Sequence, residues 1–200
     1  MNAFPLIVSS PSGGGKTTIV TALLKEIDGV KRVITATTRA PRHGERNGAD
    51  YHFWTVKQFE SAIKNKKMAE WAKVHTDYYG VPKTSLDALI KKGIIPVLVI
   101  DVQGAKTIKK HYKNAVSIFI MPPTWSELKK RLLARSQDGT NNITLRLKTA
   151  KKEAAEIKNY DYVLINDNLE EAVQNLGKII FAEQSKTARK LPLLKKRKLI

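Results

Sequence analysis

The run Ser10-Pro11-Ser12-Gly13-Gly14-Gly15-Lys16-Thr17 joins three glycines, a lysine and a hydroxyl, after the apolar Leu6-Ile7-Val8-Ser9 and ahead of a helical pattern through Ile19, Val20, Ala22, Leu23 and Leu24. Strand, glycine loop, Lys-Thr and helix in that order form a cradle for a polyphosphate. Glycine lets backbone N–H groups converge on phosphate oxygens without a Cβ in the way, and the following helix N-terminus adds partial positive charge. Lys16 is placed to reach β- and γ-phosphates and Thr17 to offer its hydroxyl to Mg2+, with Ser12, Gly13, Gly14, Gly15 and Thr18 completing the loop. The pattern G-x-x-x-x-G-K-[ST] is met except at its first position, where Ser10 stands for glycine. Further on, Val97-Leu98-Val99-Ile100-Asp101 is an apolar strand ending in a carboxylate suited to Mg2+ or its waters. Strands also end in Asp for turn reasons, so Asp101 alone is weak evidence.

A second group spans residues 35–53, where Arg39 and Arg42 stand three apart, Thr35, Thr37 and Thr38 precede them and Tyr51 follows. Paired arginines in a turn suit a bidentate grip on a phosphate. From the residues alone a solvated basic loop accounts for them equally well.

The elements that must position these groups read as an alternating β/α chain. Apolar, β-branched segments at Phe4 to Ser9, Arg32 to Ala36, Ile95 to Asp101, Ala115 to Met121 and Tyr162 to Asn166 predict strands of a parallel sheet covered on both faces. Capping-box pairs Thr55/Gln58 and Thr124/Glu127 and the stripe Leu169, Ala172, Val173, Leu176, Ile179, Ile180 predict helices at about 56–66, 125–136 and 169–183. Residues 34–83, rich in Tyr, Trp, His and Gly, read as a small mixed insertion on the β/α body.

Two hundred residues make one ordinary domain with insertions, and 42% apolar against 27% charged residues exclude disorder as the main state. There is no cysteine, hence no disulfide framework, thiolate nucleophile or Cys-ligated zinc, which suits a reducing, cytoplasmic setting. No secretory leader or membrane span is read in the sequence. The net charge of +18 favours anionic partners without choosing among them. Residues 184–200 hold seven Lys/Arg and no acid, a tail for which nonspecific phosphate contact or a solvated end are the two readings. Truncation near residue 184 is expected to leave activity intact.

The constellation resembles the guanylate kinase family over about residues 4–183. It carries Pro-Ser-Gly-x-Gly-Lys, then Thr-Thr-Arg-x-Pro-Arg-x-Gly-Glu-x-x-Gly-x-x-Tyr-x-Phe, then Tyr-Tyr-Gly and Asp-x-Gln-Gly. The long arginine motif is the specific part. The resemblance implies a P-loop NTPase core of parallel β-sheet and helices (1–33, 84–134, 159–184), a GMP-binding insertion (34–83), a helical lid (135–158) and the basic tail (185–200). It implies Mg2+-dependent transfer of the ATP γ-phosphoryl group to GMP. Thr35, Arg39, Arg42, Tyr51 and Tyr79 would hold the GMP phosphate, Glu70 would read the base, and Asp101 would serve both GMP and metal. Lys16, Arg39, Arg135 and Arg146 would act on the transferring phosphoryl group, with Arg131 and Asn166 on the ATP side. A carboxylate at Glu70 accepts from guanine N1–H and the exocyclic amine, a pattern that adenine lacks. Insertion and lid are expected to close over the substrates and exclude water, which would otherwise accept the phosphoryl group.

Two departures bear on specificity. Val81 stands where the family usually has Ser or Thr, and Val99 where it usually has the first acid of Asp-x-Asp, so a drier base pocket that discriminates less at O6 is expected. The alternative activity is a catalytically weak binding module of the same family with altered base recognition.

Overall fold

In this computed structural model, which describes residues 3–74, 76–134 and 143–200, β1 (Leu6–Ser9) lies at the middle of a five-stranded parallel sheet. The other strands are β2 (Val30–Arg32), β7 (Ile95–Val99), β8 (Val116–Met121) and β9 (Tyr162–Ile165), in the order β2-β7-β1-β8-β9. Parallel strands need crossovers, and helices supply them. Here α1 (Lys16–Glu26) follows β1, α4 (Val102–His111) follows β7 and α5 (Trp125–Ala134) follows β8. Then come α6 (Ile143–Ala154), a 3-10 segment (Ala155–Asn159), α7 (Leu169–Ser185) and α8 (Thr187–Lys196).

Both faces of the sheet are apolar and covered, as the continuous strand runs require. On one face Leu6, Val8, Ile118 and Ile120 meet Ile19, Leu23, Val173 and Leu176 of α1 and α7. On the other Ile7, Leu98 and Ile100 meet Ala105 and Ile108 of α4 and Leu86 of α3 (Lys83–Lys91). The phosphate loop emerges between these layers at the carboxyl end of β1, the position where sheets of this class bind ligands.

A second, four-stranded sheet holds β3 (Ala36–Thr37), β4 (His52–Phe53), β5 (Met68–Val74) and β6 (Asp77–Pro82) in the order β4-β3-β6-β5. It packs over α2 (Val56–Lys64) through Ala36, Phe59, Ala62 and Met68, with the Phe59 and Tyr78 rings stacked at 5.2 Å. Thr55 and Gln58 close the expected capping box at α2. Thr124 caps α5 through the Glu127 N–H at 3.0 Å, but the Glu127 side chain pairs forward with Arg131 at 2.9 Å.

The expected strand Arg32 to Ala36 divides. β2 ends at Arg32 on the edge of the first sheet, and Ala36 already pairs with His52 and Gly80 in the second. The chain changes sheet over Val33-Ile34-Thr35 without a Gly or Pro to mark the change, so the apolar pattern runs through unbroken.

The basic C-terminal segment is also more than a solvated end. The Arg189 guanidinium lies 4.0 Å from the centroid of the buried Phe4 ring and donates to the Asn114 carbonyl (3.1 Å) and to Glu183 (3.2 Å). Glu183 is only 2% exposed and also accepts from the Tyr162 hydroxyl and Lys186. Arg189→Ala is expected to lower stability by about 2 kcal/mol, since it removes a desolvated cation–π contact and one partner of a buried carboxylate. For a chain of this size that is a fall of roughly 4–8 °C in Tm by calorimetry, whereas exposed Lys195→Ala should leave Tm within about 1–2 °C.

Candidate active site

The phosphate loop is built from backbone geometry first. Gly13 and Gly15 adopt φ of 86° and 92°, a left-handed conformation costly for residues with a Cβ. A Cβ at Gly15 would also collide with Asn166 Nδ2, because Asn166, at the end of β9, donates to the Gly14 carbonyl at 3.1 Å. Lys16 and Thr17 open α1 with no acid in its first turn, leaving the helix N-terminus positive. Lys16 Nζ donates to the Ser10 carbonyl at 3.3 Å, folding the ammonium over the loop. Thr17 and Thr18 face solvent at its mouth. On the same side, Arg131 of α5 donates to the Asn166 carbonyl at 3.3 Å. Arg146 of α6 donates to Ser12 Oγ at 3.0 Å. Arg135 lies outside the described residues.

Facing the loop, a cavity of about 160 Å³ opens between the two sheets. That volume suits an aromatic ring system. Thr35, Tyr51, Glu70, Tyr79, Val99 and Asp101 lie on its wall, together with Arg32, which the sequence reading missed. Glu70 is 8% exposed, and among the described residues no hydrogen bond reaches its carboxylate. Burial, reinforced by the neighbouring Asp101, raises its pKa to about 7. Asp101 caps α4, one of its oxygens accepting from the Gln103 N–H (3.0 Å) and Gly104 N–H (2.8 Å), so the turn role weighed from sequence is real.

Val81 pairs with Glu70 across β5 and β6, and its side chain is wholly buried among Leu86, Leu98 and Ile100, off the cavity wall. That packing suits an aliphatic residue. Val99 does reach the wall.

The arginine turn sits at the cavity's outer end. Thr38 fixes it, its hydroxyl accepting from the Tyr78 N–H at 2.9 Å and donating to Asp77 at 3.2 Å. Arg39 lies over the Tyr51 ring at 5.6 Å and donates through Nη2 to both oxygens of Glu45, at 2.8 and 2.9 Å. The Glu45 carboxylate also accepts from the Arg42 backbone N–H at 2.7 Å, and Arg39 holds its pKa below the usual carboxylate range. Glu45 thus stands as an internal anion on the turn. Arg42 itself is exposed.

Two further groups escaped the sequence reading. Glu153 of α6 lies by the loop, where burial raises its pKa while Lys16 and the Ser12 backbone N–H counter that rise. Tyr160 packs edge-on against Phe119 at 5.0 Å, and burial lifts its hydroxyl to about 12. The seven-residue spacing from Arg146 puts Glu153 on the same helix face, a signal available in sequence.

A parallel sheet with a phosphate loop at the end of its first strand, facing a ring-sized cavity lined by a carboxylate and tyrosines, defines a P-loop nucleoside monophosphate kinase. The family model for guanylate kinase matches residues 2–183, and the chain belongs to that family. A guanylate kinase of Rickettsia felis is 42% identical over 90% of this chain and 94% of its own length. One from Clostridium perfringens is 40% identical over 92% of this chain and 85% of its own. The crystal structure of guanylate kinase from Anaplasma phagocytophilum superposes with a TM-score of 0.77 at 35% identity, covering 99% of this chain and 96% of that one. The chain is a phosphotransferase that passes the ATP γ-phosphoryl group to GMP. Among the described residues, no helix is long and apolar enough to cross a membrane.

Gly15→Ala is expected to lower ATP affinity at least tenfold in titration calorimetry, since the loop must abandon either its left-handed backbone or its bond to Asn166. GMP affinity, read in the same instrument, should change little.

Proposed function

We propose that the two substrates lie end to end, ATP on the loop around Lys16 and GMP in the cavity between the sheets. Ser12, Gly13, Gly14, Gly15, Lys16, Thr17 and Thr18 hold the triphosphate, with Arg131 and Asn166 toward the nucleoside. Thr35, Arg39, Arg42, Tyr51 and Tyr79 take the GMP phosphate. Incoming phosphate then competes with Glu45 for Arg39, whose short bonds to that carboxylate prefigure a bidentate anion grip.

The observation that carries the base assignment is Glu70: a buried carboxylate without a hydrogen bond among the described residues, on the wall of a ring-sized cavity. Two donors of a guanine edge satisfy it, while adenine would leave it facing a lone pair. Val99 makes that end of the cavity apolar.

The metal side has oxygen donors only, the Thr17 hydroxyl and the Asp101 carboxylate. Among the described residues no cluster of three His, Cys, Asp or Glu could hold an ion. A donor set this sparse fits Mg2+, which keeps water and substrate phosphate oxygens as most of its ligands. Bound there, Mg2+ would neutralise charge on the β- and γ-phosphates. Arg146, with Arg135 by resemblance, adds cationic charge to the transferring group, and α6 with residues 135–158 serves as the lid. The compartment that fits this substrate pair and the absence of cysteine is the cytoplasm.

ADP formation measured with GMP, dGMP, AMP, UMP and dTMP in parallel should proceed with GMP far above AMP; equal rates with AMP would refute the base assignment. Only ionised Glu70 accepts both guanine donors, so the affinity for guanosine should hold above pH 7. Below it, affinity should fall by up to about tenfold per pH unit. Glu70→Gln is expected to weaken binding and flatten that profile.

A further inference from the structure

We propose that Arg32 reads the acceptor edge of the guanine base, donating to O6 and N7 while Glu70 accepts from N1–H and the exocyclic amine; this role in specificity rests on the proposed placement of GMP in the cavity between the sheets.

Arg32 is the last residue of β2, on the edge of the first sheet. It registers with Val97 of β7, and side chains in register on parallel strands leave the sheet on the same face. Val97 and Val99, two residues apart, share the face that meets α1, whereas Val33, next after Arg32, is buried in the opposite layer with Ile7 and Leu98. Arg32 is therefore on the side of Val99, and both line the cavity. Thr35, assigned to the GMP phosphate, follows three residues later across the sheet crossing, which allows a separation of up to about 10 Å. That is enough to put Thr35 beside the phosphate of one nucleotide and Arg32 beside its base.

Arg32 is committed to nothing else. Among the described residues its guanidinium has no hydrogen bond or ion pair, whereas Arg39 is held by Glu45, Arg131 by Glu127 and Arg146 by Ser12. Of the acids on the wall, Asp101 is occupied by two N–H groups of α4, and Glu70 is the group set against the donors of the base. Guanine then still presents two adjacent acceptors, O6 and N7. Val99 offers them no donor and Val81 is buried in the core, while Thr35, Tyr51 and Tyr79 are assigned to the phosphate. A guanidinium carries five donors in a fixed fork, which matches O6 and N7 bidentately. Adenine has an amino group at position 6, so that donor would face donor, and Arg32 and Glu70 would reject it at neighbouring atoms.

The test is titration calorimetry on the full chain and on Arg32→Ala and Arg32→Lys, with GMP, with 7-deaza-GMP, in which C–H replaces N7, and with IMP, which lacks only the exocyclic amine. Arg32→Ala should weaken GMP about 10- to 100-fold, and Arg32→Lys, which keeps the charge without the fork, should recover only part of that loss. The parent should bind 7-deaza-GMP about 3- to 10-fold more weakly than GMP, whereas Arg32→Ala should bind the two alike. In steady-state assays Arg32→Ala should raise KM for GMP with kcat within about twofold of the parent. Undiminished GMP affinity in Arg32→Ala overturns the proposal. So does a 7-deaza penalty that survives in Arg32→Ala, which would put the guanidinium on another part of the nucleotide, or full recovery by Arg32→Lys, which would leave only a point charge. IMP separates this from the reading beneath it: a parent that binds IMP as tightly as GMP refutes the Glu70 assignment, while a preference for GMP over IMP beside unchanged GMP affinity in Arg32→Ala refutes the role of Arg32 alone.

Discussion

The contact between Asn166 and the backbone at Gly14 and Gly15 is the constraint on which the site depends. Inside the loop the Gly14 N–H donates to the Pro11 carbonyl at 2.9 Å and Lys16 to the Ser10 carbonyl, whereas a residue outside it holds the Gly14 carbonyl. Asn166 does so from the end of β9, and its own carbonyl is held by Arg131, which Glu127 orients in turn. The left-handed Gly15 is the other half of the same fit, since any side chain there would occupy the space of the asparagine amide. One polar contact therefore ties the first strand, the last strand and α5 into a single rigid rim.

Against the background of a strongly basic chain, the acids near this rim are few and each is doing something a base cannot. Glu45 occupies Arg39, Asp101 caps α4, Glu70 is buried on the cavity wall and Glu153 of α6 is half-buried. The excess positive charge draws anionic substrates in from solution. Glu45 keeps Arg39 oriented, and burial with the neighbouring Asp101 raises the Glu70 carboxyl toward neutrality.

Much of this was legible in the residues. The glycine run between an apolar strand and a helix, the Thr55 cap and the α7 stripe each carry a local physical signature, and each is found where that signature put it. The sheet change across Val33-Ile34-Thr35 was not legible, because an extended backbone can leave one ladder and enter another without any residue preference to record it. Nor was the destination of Val81, whose cross-strand neighbour is a polar cavity residue but whose side chain belongs to the core. Arg189 read as one more charge in a basic run; only the fold brings Phe4 and Glu183, distant in sequence, beneath it. Contacts of that separation leave no periodicity to detect.

The second sheet joins the first through two short crossings, Val33-Ile34-Thr35 on the way out and Pro82-Lys83 on the way back, where Pro82 directly caps α3. Between those crossings Ala69 of β5 and Val81 of β6 are buried with Leu98 and Ile100, so the two sheets share one apolar core rather than hanging from two threads. The inner wall of the cavity, at Glu70 beside Val81, is therefore set by the same packing that sets the sheet.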